Sequence, residues 1–197
     1  MTLDYYNKNA KLYSQETTYL DFKNQQEILL KYLEPGAHIL DLGCGAGRDS
    51  KAFIDLGYKV TAIDGSSELC KIASKYTGQQ VECRKFQDID EVSTYDAVWA
   101  CASLLHLRFD ELPDILTKIN RSLKPGGYFY SSFKHGEFEG KINGRYYTYL
   151  NSKKLDNILS NCKSFNLIES IITRDVRNGY ENGKWLNIIL RKTSKYS

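Results

Sequence analysis

The stretch HILDLGCGAGRDS, residues 38–50, decides the fold. Ile39-Leu40-Asp41-Leu42 reads as a buried β-strand and Gly43-Cys44-Gly45-Ala46-Gly47 as a tight turn; a helix opens at about Arg48. Glycines at alternate positions strip Cβ atoms from the turn, so a ligand can approach its backbone. The helix that follows points its free N–H groups at the same place. In a doubly wound α/β sheet, this corner is where a nucleotide-like ligand binds.

Two details narrow the ligand. A dinucleotide fingerprint carries its third glycine at the sixth position, where it permits close helix–strand packing. Here that glycine comes one residue early, at Gly47, and Arg48 takes the sixth place, where a bulky charge fits a helix–sheet contact poorly. Asp41 stands just before the loop, where a carboxylate repels a pyrophosphate and favours an ammonium or other cation. A phosphate-free ligand with an amino-acid ammonium and a sulfonium charge, S-adenosylmethionine, suits both details. D-L-G-C-G-x-G is also the first motif of the class I S-adenosylmethionine-dependent methyltransferases. The sequence resembles that family over most of its length, most strongly over residues 38–133.

The rest of the chain fits a sheet of this kind. Its 197 residues suit a single domain, and the formal charge of +3 is mild. With a pI near 8.5 the chain falls short of a dedicated nucleic-acid domain. No apolar run reaches the ~20 residues of a membrane helix, and the polar N-terminus lacks a signal-peptide core. Five scattered cysteines (Cys44, Cys70, Cys83, Cys101, Cys162) form no metal-ligand pair and no disulfide framework. No metal is expected, and reduced thiols point to the cytoplasm. The expected state is a monomer or weak dimer, with a small-molecule acceptor as partner and no membrane.

Strand and helix patterns alternate along the chain. A helix over 20–33 stops at Pro35-Gly36. Strands are expected at 38–42, Lys59–Ile63, Val81–Phe86, Tyr95–Ala100 and Tyr128–Phe133. Helices are expected from about Arg48 to Leu56, after a Ser66 cap with Leu69, Ile72 and Ala73 facing in, and from about Glu111 to Leu123. Lys124-Pro125-Gly126-Gly127 ends the last of these. Residues 136–150 read as a loop or short hairpin, followed by a helix over 152–161 capped by Ser152. Two final β-runs, Phe165–Thr173 and Trp185–Arg191, are joined through Asn178-Gly179 and Asn182-Gly183, which favour a hairpin-like turn. The resemblance implies a Rossmann-like seven-stranded sheet, order 3-2-1-4-5-7-6, with an antiparallel last pair. It divides the chain into a helical lid over 1–35 and a core over 36–197.

Asp64 ends the second strand about 20 residues after the glycine turn, where a carboxylate holds the hydroxyls of a ribose or, alternatively, caps the helix beyond Gly65. In the family, the end of the third strand supplies a polar group for the adenine amino group and an apolar neighbour for the ring. Here Gln87 or Asp88 is available for the first and Ile89 for the second, in place of the common Gly-Asp-Ala. Small residues at the end of strand four, Ala100 and Cys101, correspond to the motif that runs along the methionine portion.

Cys101-Ala-Ser-Leu-Leu-His106 and Gly47-Arg-Asp-Ser50 resemble the tellurite-resistance and small-molecule subgroup. His106 is either a general base or a structural hydrogen-bonding group. Tyr6-Asn7-x-x-Ala10-x-x-Tyr13 resembles the family's lid stretch, where the tyrosine hydroxyl reaches the ligand's carboxylate; packing is the other use of such a ring. The expected cofactor contacts are thus Asp41, Gly43, Cys44, Gly45, Gly47, Asp64, Gly65, Gln87, Asp88, Ile89, Ala100, Cys101 and Tyr13, with His106 and Tyr13 as catalytic candidates.

Lys134, His135, Arg145, Tyr146, Tyr147, Arg174 and Arg177 form a late cationic, tyrosine-rich group that suits an anionic or aromatic acceptor. The implied reaction is direct in-line transfer of methyl from S-adenosylmethionine to a small molecule, releasing S-adenosylhomocysteine. The alternatives are an RNA methyltransferase and a non-catalytic S-adenosylmethionine-binding protein.

Overall fold

The computed structural model describes residues 2–177, 179 and 183–193. Helices α1 (Thr2–Thr17) and α2 (Lys23–Leu30) precede a strand–helix alternation: β1 (His38–Leu42), α3 (Arg48–Asp55), β2 (Lys59–Asp64), α4 (Ser67–Thr77), β3 (Glu82–Cys83), β4 (Tyr95–Ala100), α5 (Leu112–Ser122) and β5 (Leu123–Lys134). A hairpin of β6 (Glu139–Ile142) and β7 (Arg145–Thr148) follows. Then come α6 (Ser152–Asn161), β8 (Phe165–Arg174) and β9 (Lys184–Lys192).

The main sheet has the order β3-β2-β1-β4-β5-β9-β8. Its first five strands are parallel, and β9 runs antiparallel to both β5 and β8. This is the expected topology, with the β6–β7 hairpin inserted before the last pair.

Two cores hold the sheet between helices, and each central strand feeds both by period-two alternation. Leu40 and Leu42 of β1, Val98 of β4 and Phe129 and Phe133 of β5 face α5 and α6. Ile39, Trp99 and Tyr130 face the opposite way, toward Leu29 of α2 and Phe53 of α3. Trp99 and Tyr130 are fully buried and stack with ring centroids 3.9 Å apart. Helix α5 forms because Leu112, Ile115, Leu116 and Ile119 recur at helical spacing, and all four are buried. Each such side chain contributes roughly 1.5–3 kcal/mol of transfer free energy.

Several expected boundaries shift. Strand β3 spans only Glu82–Cys83, because the Asp88 carboxylate accepts the Lys85 N–H at 3.0 Å and closes a 3-10 turn over Phe86–Asp88. Strand β5 starts at Leu123; residues 124–127 bulge out between the pairs Tyr95↔Leu123 and Ala97↔Tyr128. Helix α6 is capped by Asn151 and not by Ser152: the Asn151 backbone is extended and its side chain accepts the Lys154 N–H at 2.9 Å. Ser66 caps α4 as expected, accepting from Leu69 N–H. Asn178 and Asn182, half of each late turn signal, lie outside the described residues.

Candidate active site

The glycine turn sits at the C-terminal edge of β1, beside the end of β2, where the strand order reverses between β1 and β4. Four of its five amides are engaged by the chain itself. Gly43 and Cys44 N–H both donate to Ile63 O, Gly47 N–H donates to Cys44 O, and Gly45 N–H donates to Asp64 Oδ2 at 2.9 Å. A pyrophosphate needs such donors free. Their use within the loop agrees with a ligand that has no phosphate there.

A cleft of about 920 Å³ opens in front of this loop. Gly43, Gly45, Asp64 and Gly65 line its polar side; Leu3, Leu69, Phe86 and Leu107 line its apolar side, with Gln87 at the rim. Gly43 and Gly45 form a cradle that Cβ atoms would fill. Gly43 has φ +80°, and a Cβ there would lie 2.5 Å from Ser103 Cβ. At Gly45, with φ +58°, it would lie 3.2 Å from the Tyr13 ring. The Asp64 carboxylate accepts Gly45 N–H on one oxygen and Ser66 N–H on the other, at 2.8 Å. It therefore braces the turn and opens the next helix while facing the cleft. Burial raises its pKa to about 6, against the lowering effect of those N–H bonds.

A second cleft of about 800 Å³ lies behind the first. Tyr6, Tyr13, Ala102 and His106 line both and form the wall between them. Ala102 holds a left-handed backbone (φ 51°) fixed by its N–H bond to Ser132 Oγ at 2.8 Å. His106 Nδ1 lies 2.7 Å from Tyr146 O, and Nε2 lies 2.7 Å from Tyr6 Oη. A carbonyl only accepts, so Nδ1 carries the proton and Nε2 accepts from the Tyr6 hydroxyl. Burial depresses the His106 pKa to about 4. This neutral imidazole, its lone pair engaged by Tyr6, is built to hold Tyr6 in place. The general-base alternative for His106 has no free lone pair in this arrangement.

Of the expected contacts, Gly43, Gly45, Asp64, Gly65, Gln87, Tyr13 and His106 converge on the first cleft, and Cys101 lines the second. Others sit elsewhere. Gly47 lines neither cleft; its missing Cβ makes room for Thr77 and Ala73 of α4. Asp88 is exposed and spends its carboxylate on the 3-10 turn. That turn points Ile89 into the core and Phe86 to the cleft, so Phe86 is the apolar group available to a base. Ala100 is fully buried.

Asp41 and Cys44 face a narrow hollow behind Gly43, shared with Tyr13, Arg48 and Asp49. Asp41 accepts from Ser50 Oγ at 2.6 Å, and burial raises its pKa well above the carboxylate range. Arg48 does not enter a helix–sheet contact. Its guanidinium stacks 3.5 Å from the Phe22 ring centroid and bonds both Asp49 oxygens. Asp49 also accepts from Gln26 and Trp99 Nε1, which makes it the hub of a buried network.

Sequence reasoning missed Leu3, Phe86 and Ser103 at the first cleft and gave Tyr6 no role of its own. Tyr6 had a local signal, since it stands seven positions before Tyr13, on the same helix face.

Known proteins similar to the chain share this fold. Residues 39–127 match a family described as "Methyltransferase domain". A ubiquinone biosynthesis O-methyltransferase of Xanthomonas campestris pv. campestris (strain B100) is 38% identical over 109 residues, 50% of this chain and 43% of that relative. The chain thus spans less than half the length of that relative. Among solved structures, the Burkholderia thailandensis 1,6-didemethyltoxoflavin-N1-methyltransferase, crystallised with 1,6-didemethyltoxoflavin and S-adenosylhomocysteine, superposes with a TM-score of 0.76 at 23% identity. That likeness covers 98% of this chain and 85% of the other. The [4+2]-cyclase SpnF superposes with a TM-score of 0.75 at 16% identity, covering 97% and 94%. The segment that builds the glycine loop and the strands around it matches methyltransferase domains, and the chain as a whole has the Rossmann-like fold of S-adenosylmethionine-dependent methyltransferases.

Proposed function

We propose that the protein is an S-adenosylmethionine-dependent methyltransferase that acts on a small molecule. The observation that carries this reading is the pair of clefts that meet at one wall. The first suits a phosphate-free adenosyl ligand. The second is a separate chamber for an acceptor, and Tyr6, Tyr13, Ala102 and His106 stand where the two would meet.

In this reading, the open backbone at Gly43 and Gly45 lies along the ligand. Asp64 accepts from the ribose hydroxyls, with Gly65 beside it. Gln87 meets the adenine edge and Phe86 its face. The hollow with Asp41 and Cys44 receives the amino-acid end, where an ammonium favours the ionised form of Asp41. S-adenosylmethionine would supply a methyl carbon already activated by its sulfonium, transferred in line to the acceptor.

The chain's own contribution is alignment and exclusion of water, which can be worth roughly 7–11 kcal/mol. Tyr6 and Tyr13 of α1 complete the wall, which gives residues 2–17 the role of a lid. His106 fixes Tyr6 and is a positioning residue. The narrower likeness to the tellurite-resistance subgroup rests on Gly47–Ser50 and Cys101–His106, two segments that here build the Asp49 network and the wall. Among the described residues no helix is long and apolar enough to cross a membrane. The five thiols are unpaired, which supports a reducing compartment such as the cytoplasm.

Calorimetric titration with S-adenosylhomocysteine tests the cofactor. The wild type should bind, and Gly45→Val, which drives a branched side chain into Tyr13, should not. Failure of the wild type to bind would sink the proposal. A second reading, the same fold put to other chemistry, is favoured by the likeness to a [4+2]-cyclase. Formation of S-adenosylhomocysteine from S-adenosylmethionine with a metabolite extract separates the two.

A further inference from the structure

We propose that the second cleft takes a planar aromatic acceptor bearing a negative charge, and that Arg145 and Lys134 hold that charge. This rests on the reading of the cleft as the acceptor chamber.

Strand alternation builds the chamber. Tyr130, Ser132 and Lys134 of β5 point one way, and Arg145 and Tyr147 of β7 reach in from the hairpin. Tyr147 and Trp185 line it with aromatic rings, and Tyr130 lies in its floor.

The polar groups of the floor are already satisfied by one another. Tyr130 Oη donates to Asn187 Oδ1 at 2.7 Å, and Asn187 Nδ2 donates to Thr173 Oγ1 at 2.9 Å. Asp175 is saturated too. Its Oδ1 accepts from Arg177 N and Nε; its Oδ2 accepts from Arg177 Nη2 at 2.6 Å and Trp185 Nε1 at 3.0 Å.

Two cations face the space that remains. Lys134 Nζ is ion-paired with Asp175 Oδ2 at 3.8 Å without a hydrogen bond between them, and lies 4.9 Å from the Trp185 ring centroid. Arg145 stacks over Tyr5 and Tyr147, at 4.5 Å and 5.3 Å from their centroids. Its Nε is buried with no hydrogen-bond partner, and it makes no ion pair among the described residues. A buried donor without a partner is costly, so it marks a place where an acceptor group belongs. Arg145 and Lys134 also repel each other: burial first, then Arg177 and Arg145, lower the Lys134 pKa against the pull of Asp175. An anion between them satisfies the orphan donor and relieves the repulsion, while the tyrosines and Trp185 cover a flat ring. Because Arg145 also faces Tyr6, the held charge lies beside the shared wall.

Three probes test this by calorimetry on protein saturated with S-adenosylhomocysteine: cinnamate, its neutral isostere cinnamamide, and hexanoate, an anion without a ring. Cinnamate should bind about 10- to 100-fold tighter than the amide, the worth of a charge-assisted hydrogen bond, and tighter than hexanoate. Arg145→Met and Lys134→Met should each remove most of the preference for cinnamate over its amide and leave S-adenosylhomocysteine affinity unchanged; Arg145→Lys should restore part of it. Equal binding of acid and amide, no binding of either at millimolar concentration, or a preference that survives in both methionine variants would each overturn the inference. If S-adenosylhomocysteine fails to bind, the same probes are run on the free protein. A charge preference there upholds the anion site while the methyltransferase reading falls.

Discussion

Gly45→Ala and Gly47→Ala should separate ligand binding from packing within one loop. At Gly47 the backbone is left-handed (φ +88°), and an added Cβ would lie 2.9 Å from Thr77 Cγ2 and 3.1 Å from Ala73 Cβ. Neither neighbour yields easily. Ala73 is fully buried, and the Thr77 hydroxyl is tied to Ala73 O at 2.8 Å. The left-handed residue costs about 1–2 kcal/mol and the overpacking about 1–3, so the variant should lose roughly 2–5 kcal/mol of stability. In a chain of this size that lowers Tm by about 5–20 °C. Gly47 lines neither cleft, so the folded variant should keep its affinity for S-adenosylhomocysteine within about twofold, a change below ~0.5 kcal/mol.

At Gly45 the Cβ meets the edge of the Tyr13 ring, at 3.2 Å and 3.4 Å from Cε1 and Oη. Tyr13 gives way into the cleft. Stability should fall by only about 1–2 kcal/mol, while affinity drops at least about tenfold. Thermal unfolding and calorimetry well below Tm measure the two effects separately. A Gly47→Ala protein that melts like wild type, or that loses more affinity than Gly45→Ala, would refute the division of labour.

Two further outcomes follow from the buried acids. The Asp64 carboxyl titrates near 6, and ribose hydroxyl donors favour its ionised form. S-adenosylhomocysteine affinity should therefore be full above that pH and fall as pH drops through it, by up to about tenfold per pH unit; Asp64→Asn should bind more weakly and without this dependence, and a flat wild-type profile from about pH 5 to 8 would remove Asp64 from the ribose. Asp49→Ala strips Gln26, Trp99 and the largely buried Arg48 of their shared acceptor and should cost about 3–5 kcal/mol in denaturant unfolding; a loss under ~1 kcal/mol would show that the network is not structural.

What could be read from the sequence was whatever is encoded locally. Strand β1 and strand β4 match their expected spans residue for residue, because Ile39–Leu42 and Tyr95–Ala100 are mainly apolar, each with one aspartate, and end at the small residues Gly43 and Cys101. Gly43, Gly45 and Asp64 were legible because a tight turn and a carboxylate at a strand end leave a spacing. Direction within a loop left no such trace. Phe86 and Ile89 are three residues apart and both apolar; a 3-10 turn closed by Asp88 sends one to the cleft and the other to the core. Asp49 likewise read as an ordinary first-turn acid. Its partners Gln26 and Trp99 lie 23 and 50 residues away and meet it only in the folded chain.

The same contrast bears on the proposed lid. Along α1, Ala10 is buried, and with the half-buried Tyr6 and Tyr13 it packs on Ala46, Leu69 and Ile72. Polar bonds from the helix also reach three separate elements. Tyr6 bonds His106 beyond β4, Asn7 accepts from Ser66 at the start of α4, and Thr2 Oγ1 accepts from Tyr146 N–H on β7. At about 0.5–1.5 kcal/mol per bond, the three together are worth about 1.5–4.5 kcal/mol. A closed state favoured by that amount leaves an open form populated at roughly 0.05–7%, enough for a ligand to reach a cleft that α1 covers. Once the cleft is filled, Leu3, Tyr6 and Tyr13 gain contacts that only the closed helix can make. The three polar bonds of α1 then serve one requirement: a wall complete during reaction and open between turnovers.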